Sequence, residues 1–258
     1  MFNLEDFDFK LNTEYIGRNF VFVEEIDSTN SFLLDKNNKF NENGTVLLAE
    51  SQTQGRGRKQ RMWQSTAGAN LTFSILLNKK GYIPESLGLL NMAVSLAVAN
   101  SIENLHTVKT NLKWPNDVLI NGKKLVGILS ESVSQGSNIE RVVIGIGINV
   151  NQNYFPEDFN LPPTSIKLET NQTVEREKLL SEVLINIENV ISRLLEYPAD
   201  VLTDWRAKCN MIGDKVSITD GNSTKVGIFD DIDDEGYLLL RERSGRIEKI
   251  HFGDVSLR

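Results

Sequence analysis

What most constrains this chain is how its strand-like runs follow one another. Phe20–Ile26, Thr45–Glu50, Leu71–Leu77, Val118–Asn121, Leu125–Ser132 and Val142–Val150 are short, apolar and rich in β-branched residues. Asn121-Gly122 stands between two of them, and that dipeptide favours the type I′ turn of a hairpin. Strands joined by tight turns, with helices inserted in blocks, predict an α+β fold rather than a doubly wound parallel sheet. Leu71, Phe73, Ile75 and Leu77 alternate with smaller or polar neighbours, which predicts a sheet covered on one face.

Two segments carry helical periodicity. From Glu85 to Leu105 a stripe runs through Leu87, Leu90, Val94, Ala97, Val98, Ser101 and Ile102. From Glu175 to Glu196 another runs through Leu179, Val183, Leu184, Ile187, Val190, Ile191 and Leu194, stopped by Pro198. A short helix is expected over Pro198–Cys209. After Cys209 the texture changes to Lys215–Thr219, Lys225–Ile232, Tyr237–Arg243, Ile247–Phe252 and Val255–Leu257. Turns separate these runs at Asp220-Gly221-Asn222, Asp234-Glu235-Gly236 and Ser244-Gly245. That pattern predicts a larger domain over residues 1–210 and a small β-barrel over 211–258. Asn151–Pro163 reads as a long polar loop.

Composition excludes several classes. A formal charge of −7 over 258 residues argues against a general nucleic-acid binder. Two histidines and the lone Cys209 cannot build a usual zinc site, and no intramolecular disulfide can form. No metal ligands are assigned; any metal is expected to be Mg2+ arriving with nucleotide phosphates. No apolar run approaches the roughly eighteen residues of a membrane span, and the acidic N-terminus does not read as a secretory signal. A cytoplasmic protein with no membrane partner is expected.

Four stretches could carry chemistry. In Gln52-Thr53-Gln54-Gly55-Arg56-Gly57-Arg58-Lys59-Gln60-Arg61-Met62-Trp63, glycines let backbone N–H groups approach an anion, and arginines offer a planar fork of donors. The ligand is a phosphate or adenylate; the alternative is a solvated basic loop or a nucleic-acid patch. It is not a Walker loop, since Gly-Lys-Ser/Thr is absent. In Lys113-Trp114-Pro115-Asn116-Asp117 the lysine ends a short strand, where it could stabilise a carboxylate becoming an acyl phosphate or simply occupy a sheet edge. Asn116-Asp117 could merely shape a turn, with Asp117 a weak candidate for a base. In Ile144-Gly145-Ile146-Gly147-Ile148-Asn149 the strand glycines mark a close approach, either of a ligand or of a packed helix. Asp27-Ser28-Thr29-Asn30 has the chemistry of a helix N-cap, and equally of a site for a small polar head group. No nucleophile elbow or triad is present. Cationic loops without a protein nucleophile fit direct attack of a substrate carboxylate on ATP.

Taken in order, Ser28-Thr29-Asn30, Gly55-Arg56-Gly57-Arg58 with Trp63, Lys113-Trp114-Pro115-Asn116-Asp117, Gly145-x-Gly147-x-Asn149 and the ending Gly253-Asp254-Val255-Ser256-Leu257-Arg258 closely resemble the biotin–protein ligase family. The resemblance covers nearly the whole chain. It implies a central mixed sheet with helices, of the class II synthetase or biotin–lipoate ligase kind, followed by a small SH3-like barrel. It implies ATP, with Mg2+, as cofactor and biotin as substrate, biotinoyl-5′-AMP as intermediate, and the lysine of a biotin carboxyl carrier domain of a carboxylase as acceptor. It assigns Ser28, Thr29, Asn30 and Gln52 to biotin, and Arg56, Gly57 and Arg58 to the biotin carboxylate and phosphates. It assigns Lys113 to the reacting oxygens, Gly145 and Gly147 to room for the biotin rings, and Asn149 to the nucleotide. Arg56, Arg58 and Lys113 are the catalytic candidates.

Family members that repress transcription carry an N-terminal winged helix-turn-helix of about sixty residues. Here the biotin motif starts at Ser28, so no DNA binding is expected, while a homodimer is compatible with the family's habit. The rival expectations are a lipoate or octanoate ligase, whose Arg-Arg and glycine-rich turn do not stand at 55–58, and a non-catalytic regulatory binding protein.

Overall fold

The computed structural model describes every residue except 1, 85, 137, 156–158, 160, 222 and 258, and only the backbone of Gln60. The expected helix start at Glu85, Asn222 of the first barrel turn, Arg258, and parts of the long loop therefore lie outside the described residues.

The strands are β1 (Phe20–Ile26), β2 (Val46–Gln52), β3 (Leu71–Leu77), β4 (Asn111–Lys113), β5 (Asp117–Ile120), β6 (Lys123–Gln135) and β7 (Asn138–Ile148). They form one seven-stranded sheet in the order β1-β2-β3-β7-β6-β5-β4. Only β1 and β2 run parallel; every other pair is antiparallel, so the sheet is mixed. Asn121 and Gly122 both take positive φ, 51° and 74°, as the β5–β6 hairpin requires.

The helices are α1 (Leu4–Lys10), α2 (Thr29–Leu34), α3 (Leu87–Leu105), α4 (Ile166–Thr170), α5 (Arg176–Glu196) and α6 (Pro198–Lys208). Helix α3, capped by Ser86 accepting from Leu89 N–H, packs with α5 and α6 over one face of the sheet. It is buried well beyond a single stripe, because neighbours surround it. Helix α2 lies on the other face, where Leu33 meets Leu47, Leu76 and Val143 in a second apolar cluster. The one-faced expectation for Leu71–Leu77 is therefore corrected: β3 is central, and all seven of its residues are buried. Both faces are covered there.

The C-terminal strands are β8 (Lys215–Asp220), β9 (Ser223–Ile232), β10 (Leu238–Arg241), β11 (Ile247–Ile250) and β12 (Asp254–Leu257). Among the described residues they pair only with each other, as a five-stranded antiparallel sheet ordered β11-β10-β9-β8-β12. The fold is α+β, a large mixed sheet with helices followed by this small all-β unit. Cys209, buried where α6 ends, has its thiol pushed up to about 11 by burial, so it is an inert packing residue. No helix among the described residues is long and apolar enough to cross a membrane.

Candidate active site

One cavity of about 1130 Å³ gathers all eleven candidate residues: Ser28, Thr29, Asn30, Gln52, Arg56, Gly57, Arg58, Lys113, Gly145, Gly147 and Asn149. They come from α2, β2, the loop after β2, β4, β7 and the turn that follows, so folding alone collects what the sequence scatters. Four buried side-chain atoms among the described residues lack a hydrogen-bond partner, and three belong to the cavity lining: Trp63 Nε1, Thr72 Oγ1 and Asn111 Oδ1. Buried polar groups are normally paired, so these mark a place for a polar ligand.

The closed end is lined by the uncharged side chains of Ser28, Thr29, Asn30 and Gln52. Ser28 caps α2, its Oγ accepting from Ser31 N–H at 3.4 Å, a long contact that leaves the hydroxyl facing the cavity free for other partners. Thr29 N–H donates to Gln52 Oε1 at 2.8 Å, and the Asn30 amide donates to Leu129 O at 3.1 Å and Glu131 Oε2 at 2.8 Å. A Cβ on Gly145 would stand 2.3 Å from Asn30 Oδ1, and one on Gly147 would stand 2.2 Å from the Trp63 ring. The strand glycines thus admit two protein side chains that themselves line the cavity. The close approach comes from the head-group element and the basic loop.

The open end is cationic. The basic loop folds back on itself, with Gly57 N–H donating to Arg61 O at 2.7 Å and Trp63 N–H to Gly55 O at 3.0 Å. Gly57 N–H is thus paired within the loop, while Gly57 itself lines the cavity. The charges remain available. Arg56 reaches Glu131 at 3.1 Å; Arg58 donates to Asn116 Oδ1 and Gly253 O, each at 3.2 Å. Lys59 pairs with Asp220 at 3.2 Å, and Arg61 with Asp254, so the C-terminal sheet holds the loop over the cavity.

Two ammonium groups flank one carboxylate. Asp117 lies 2.7 Å from Lys124 Nζ and 4.0 Å from Lys113 Nζ. Burial works against the charge on Lys113 and pushes its pKa down, with Asp117 pulling the other way. Arg58 is treated alike: burial lowers its pKa, opposed by Asp254 and Asp117. Asp117 is thus shared between the two lysines.

Sequence reasoning passed over Lys124, whose Nζ would lie 3.3 Å from a Cβ on Gly127, on the strand floor beneath Trp63. The missed signal was its position: a lysine just past the Asn121-Gly122 turn, entering a strand buried at Leu125 and Val126. Asn116 was read as turn-forming, yet it is buried and joins Arg58 to Ile128 O. Among the described residues no three His, Cys, Asp or Glu side chains cluster as metal ligands.

Comparison with known proteins accords with this geometry. Residues 22–149 match the model of the biotin/lipoate A/B protein ligase family, and residues 211–258 match the biotin protein ligase C-terminal domain. The chain is similar to a biotin–[acetyl-CoA-carboxylase] ligase of Mycobacterium tuberculosis, 37% identical and covering 90% of this chain and 86% of that one. It is similar to the bifunctional ligase/repressor BirA of Bacillus subtilis, 34% identical over 96% of this chain and 77% of that protein. A solved biotin protein ligase of Aquifex aeolicus, in complex with biotin and ATP, superposes with a TM-score of 0.81 at 33% identity, covering 93% of this chain and 99% of that one.

Proposed function

The chain belongs to the biotin/lipoate A/B protein ligase family, and from that premise we propose how its cavity carries out the reaction. The protein is an ATP-dependent biotin–protein ligase: it activates biotin and transfers it to a carboxylase. In the first step the biotin carboxylate attacks the α-phosphorus of Mg-ATP, pyrophosphate leaves, and biotinoyl-5′-AMP remains. In the second, the ε-amine of an acceptor lysine attacks the acyl carbon and AMP leaves.

The side chains do this by placement and charge. Ser28, Thr29, Asn30 and Gln52 hold the biotin head group at the closed end. Arg56, Arg58, Lys113 and Lys124 surround the point where two mutually repelling anions must meet. Gly57 lies with Arg56 and Arg58 over the carboxylate and phosphates, while Gly145 and Gly147 seat Asn30 and Trp63. Asn149 lies at the nucleotide. Fixed cations aimed at developing charge, and reactants held in register, supply the rate enhancement. The substrate carboxylate itself is the nucleophile of the first step. What carries this reading is the convergence of neutral hydrogen-bonding groups and four cations on one cavity that also holds three unpaired buried polar atoms.

The division into a catalytic domain (1–210) and a C-terminal domain (211–258) is supported by the strands after α6 pairing only among themselves. The acceptor is the biotin carboxyl carrier domain of the carboxylase. A place for it, or for a second copy of this chain in a homodimer, is the outer half of β6: β5 pairs with β6 as far as Gly127, and among the described residues no strand pairs with that edge beyond it. Freedom from DNA binding is supported by the net charge of −7, and a cytoplasmic site of action by the need for ATP and the single buried thiol.

Incubation with ATP and labelled pyrophosphate tests the whole. Label enters ATP only when biotin is present. Exchange driven instead by lipoate or octanoate selects the rival ligase, and no exchange with any acid selects a binding protein.

A further inference from the structure

The closed end contains one hydroxyl that lines no part of the cavity. Ser74, on β3, is fully buried behind Thr29 and Asn30. Its Oγ lies 2.6 Å from Asn30 Oδ1 and 2.7 Å from Thr29 Oγ1. A hydroxyl has one proton, so it cannot donate to both.

The Asn30 amide decides between them. Its nitrogen faces Leu129 O and the Glu131 carboxylate, which only accept, so its Oδ1 faces Ser74 and needs a donor. Ser74 therefore donates to Asn30. The 2.7 Å contact with Thr29 is then a hydrogen bond only if Thr29 donates to Ser74. With its proton committed there, the 3.0 Å contact between Thr29 Oγ1 and Gln52 Oε1 contains no hydrogen. Two acceptor oxygens of cavity-lining residues are left facing each other, an arrangement that is unfavourable until a donor enters between them.

We propose that Ser74 is a positioning residue that sets this proton order, and that the acceptor pair it creates selects a head group bearing an N–H. The ureido ring of biotin has two such groups; the dithiolane of lipoate and the alkyl end of octanoate have none. The inference rests on the biotin reading and deepens it. Without the Ser74 hydroxyl, Thr29 turns its proton to Gln52, whose Oε1 then accepts from both the N–H and the O–H of Thr29, and a ligand N–H meets that acceptor already filled.

The test is biotin-dependent pyrophosphate exchange with Ser74→Ala, comparing biotin with biotins methylated at each ureido nitrogen in turn. The parent enzyme discriminates against at least one methylated analogue. Ser74→Ala raises the biotin KM by about 10- to 100-fold, leaves kcat and the ATP KM within about twofold, and shrinks that discrimination by the same factor as the KM. Ser74→Cys, close in shape but a weaker donor, falls between, and it stands in if the alanine variant does not fold. Equal losses for biotin and its methylated forms, or unchanged discrimination in a folded variant, would overturn the role of Ser74 alone. Absence of biotin-dependent exchange in the parent would overturn the biotin reading first, and this inference with it.

Discussion

The two ends of the cavity are built from different materials. At the head-group end Thr29, Asn30 and Ser74 are almost wholly buried and joined by uncharged hydrogen bonds to one another and to Gln52. At the phosphate end, Arg56, Arg58, Lys59 and Arg61 sit on a loop with side chains between 23% and 56% exposed, each held by a carboxylate within the protein. The contrast separates two tasks. A head group of fixed shape is met by a prepared, desolvated pattern of donors and acceptors. Incoming phosphates are met by charges whose present partners, Glu131, Asp220 and Asp254, a more highly charged ligand can displace.

The largest expected effect concerns the scaffold of the head-group end. Arg176 forks onto Glu50 of β2 with both contacts at 2.8 Å, and the two side chains are 7% and 12% exposed. Arg176→Ala leaves a buried carboxylate unpaired and should cost about 3–5 kcal/mol, read as a lowered Tm. Burial works to raise the Glu50 carboxyl, but hydrogen bonds from Arg176 and from Gly68 N–H outweigh it, so its pKa lies below the ordinary glutamate value. The stability this pair gives is full above that ordinary value and is lost as pH falls through the lowered one. A Tm series from neutral to acidic pH should show this limb in the parent and not in the variant.

Next comes the phosphate end. Lys113→Ala and Lys124→Ala should each slow adenylate formation about 10²- to 10³-fold with little change in Tm. Because burial pushes the Lys113 pKa down, its positive charge is lost as pH rises before an ordinary lysine would lose it. Exchange activity should therefore decline on the alkaline side below the usual lysine range, in the parent enzyme.

Smaller effects sharpen the contrast. Gly145→Ala drives a methyl group into the Asn30 amide and should cost about 1–3 kcal/mol, appearing chiefly as a raised biotin KM. Gly147→Ala strikes Trp63 instead, and should raise the ATP KM more than the biotin KM. Smallest is Asp254→Asn, which loosens Arg61 and Lys59 from the C-terminal sheet. Exposed pairs contribute about 0–1 kcal/mol, so the ATP KM should shift by less than about fivefold, and less still at high salt.

Much of the frame was legible from residue order. The bounds of β1 and β3 follow from their apolar runs alone, and the β5–β6 turn from Asn121-Gly122. Strands β6 and β7 run on beyond their apolar stretches to Gln135 and Asn138, because backbone pairing continues where the side chains are exposed. Helix α1 escaped notice in an acidic N-terminus. Its stability comes from the Asn3 cap and from Phe7 packing against Phe20, a long-range contact that no local pattern announces. Similarly, the site motifs could be found one by one, but Ser74 and Glu131 could not. Their roles depend on which neighbours the sheet register supplies, and Ser74 reads in sequence as one small residue within an apolar strand.

The central claim is that one carboxylate oxygen of biotin becomes the bridge to the α-phosphorus. Single-turnover biotinylation of a carrier lysine, using biotin labelled with 18O in both carboxyl oxygens, reads it directly. One labelled oxygen should leave in AMP and the other remain in the new amide. Label released in pyrophosphate or inorganic phosphate, with none in AMP, would contradict attack at the α-phosphorus and the adenylate with it.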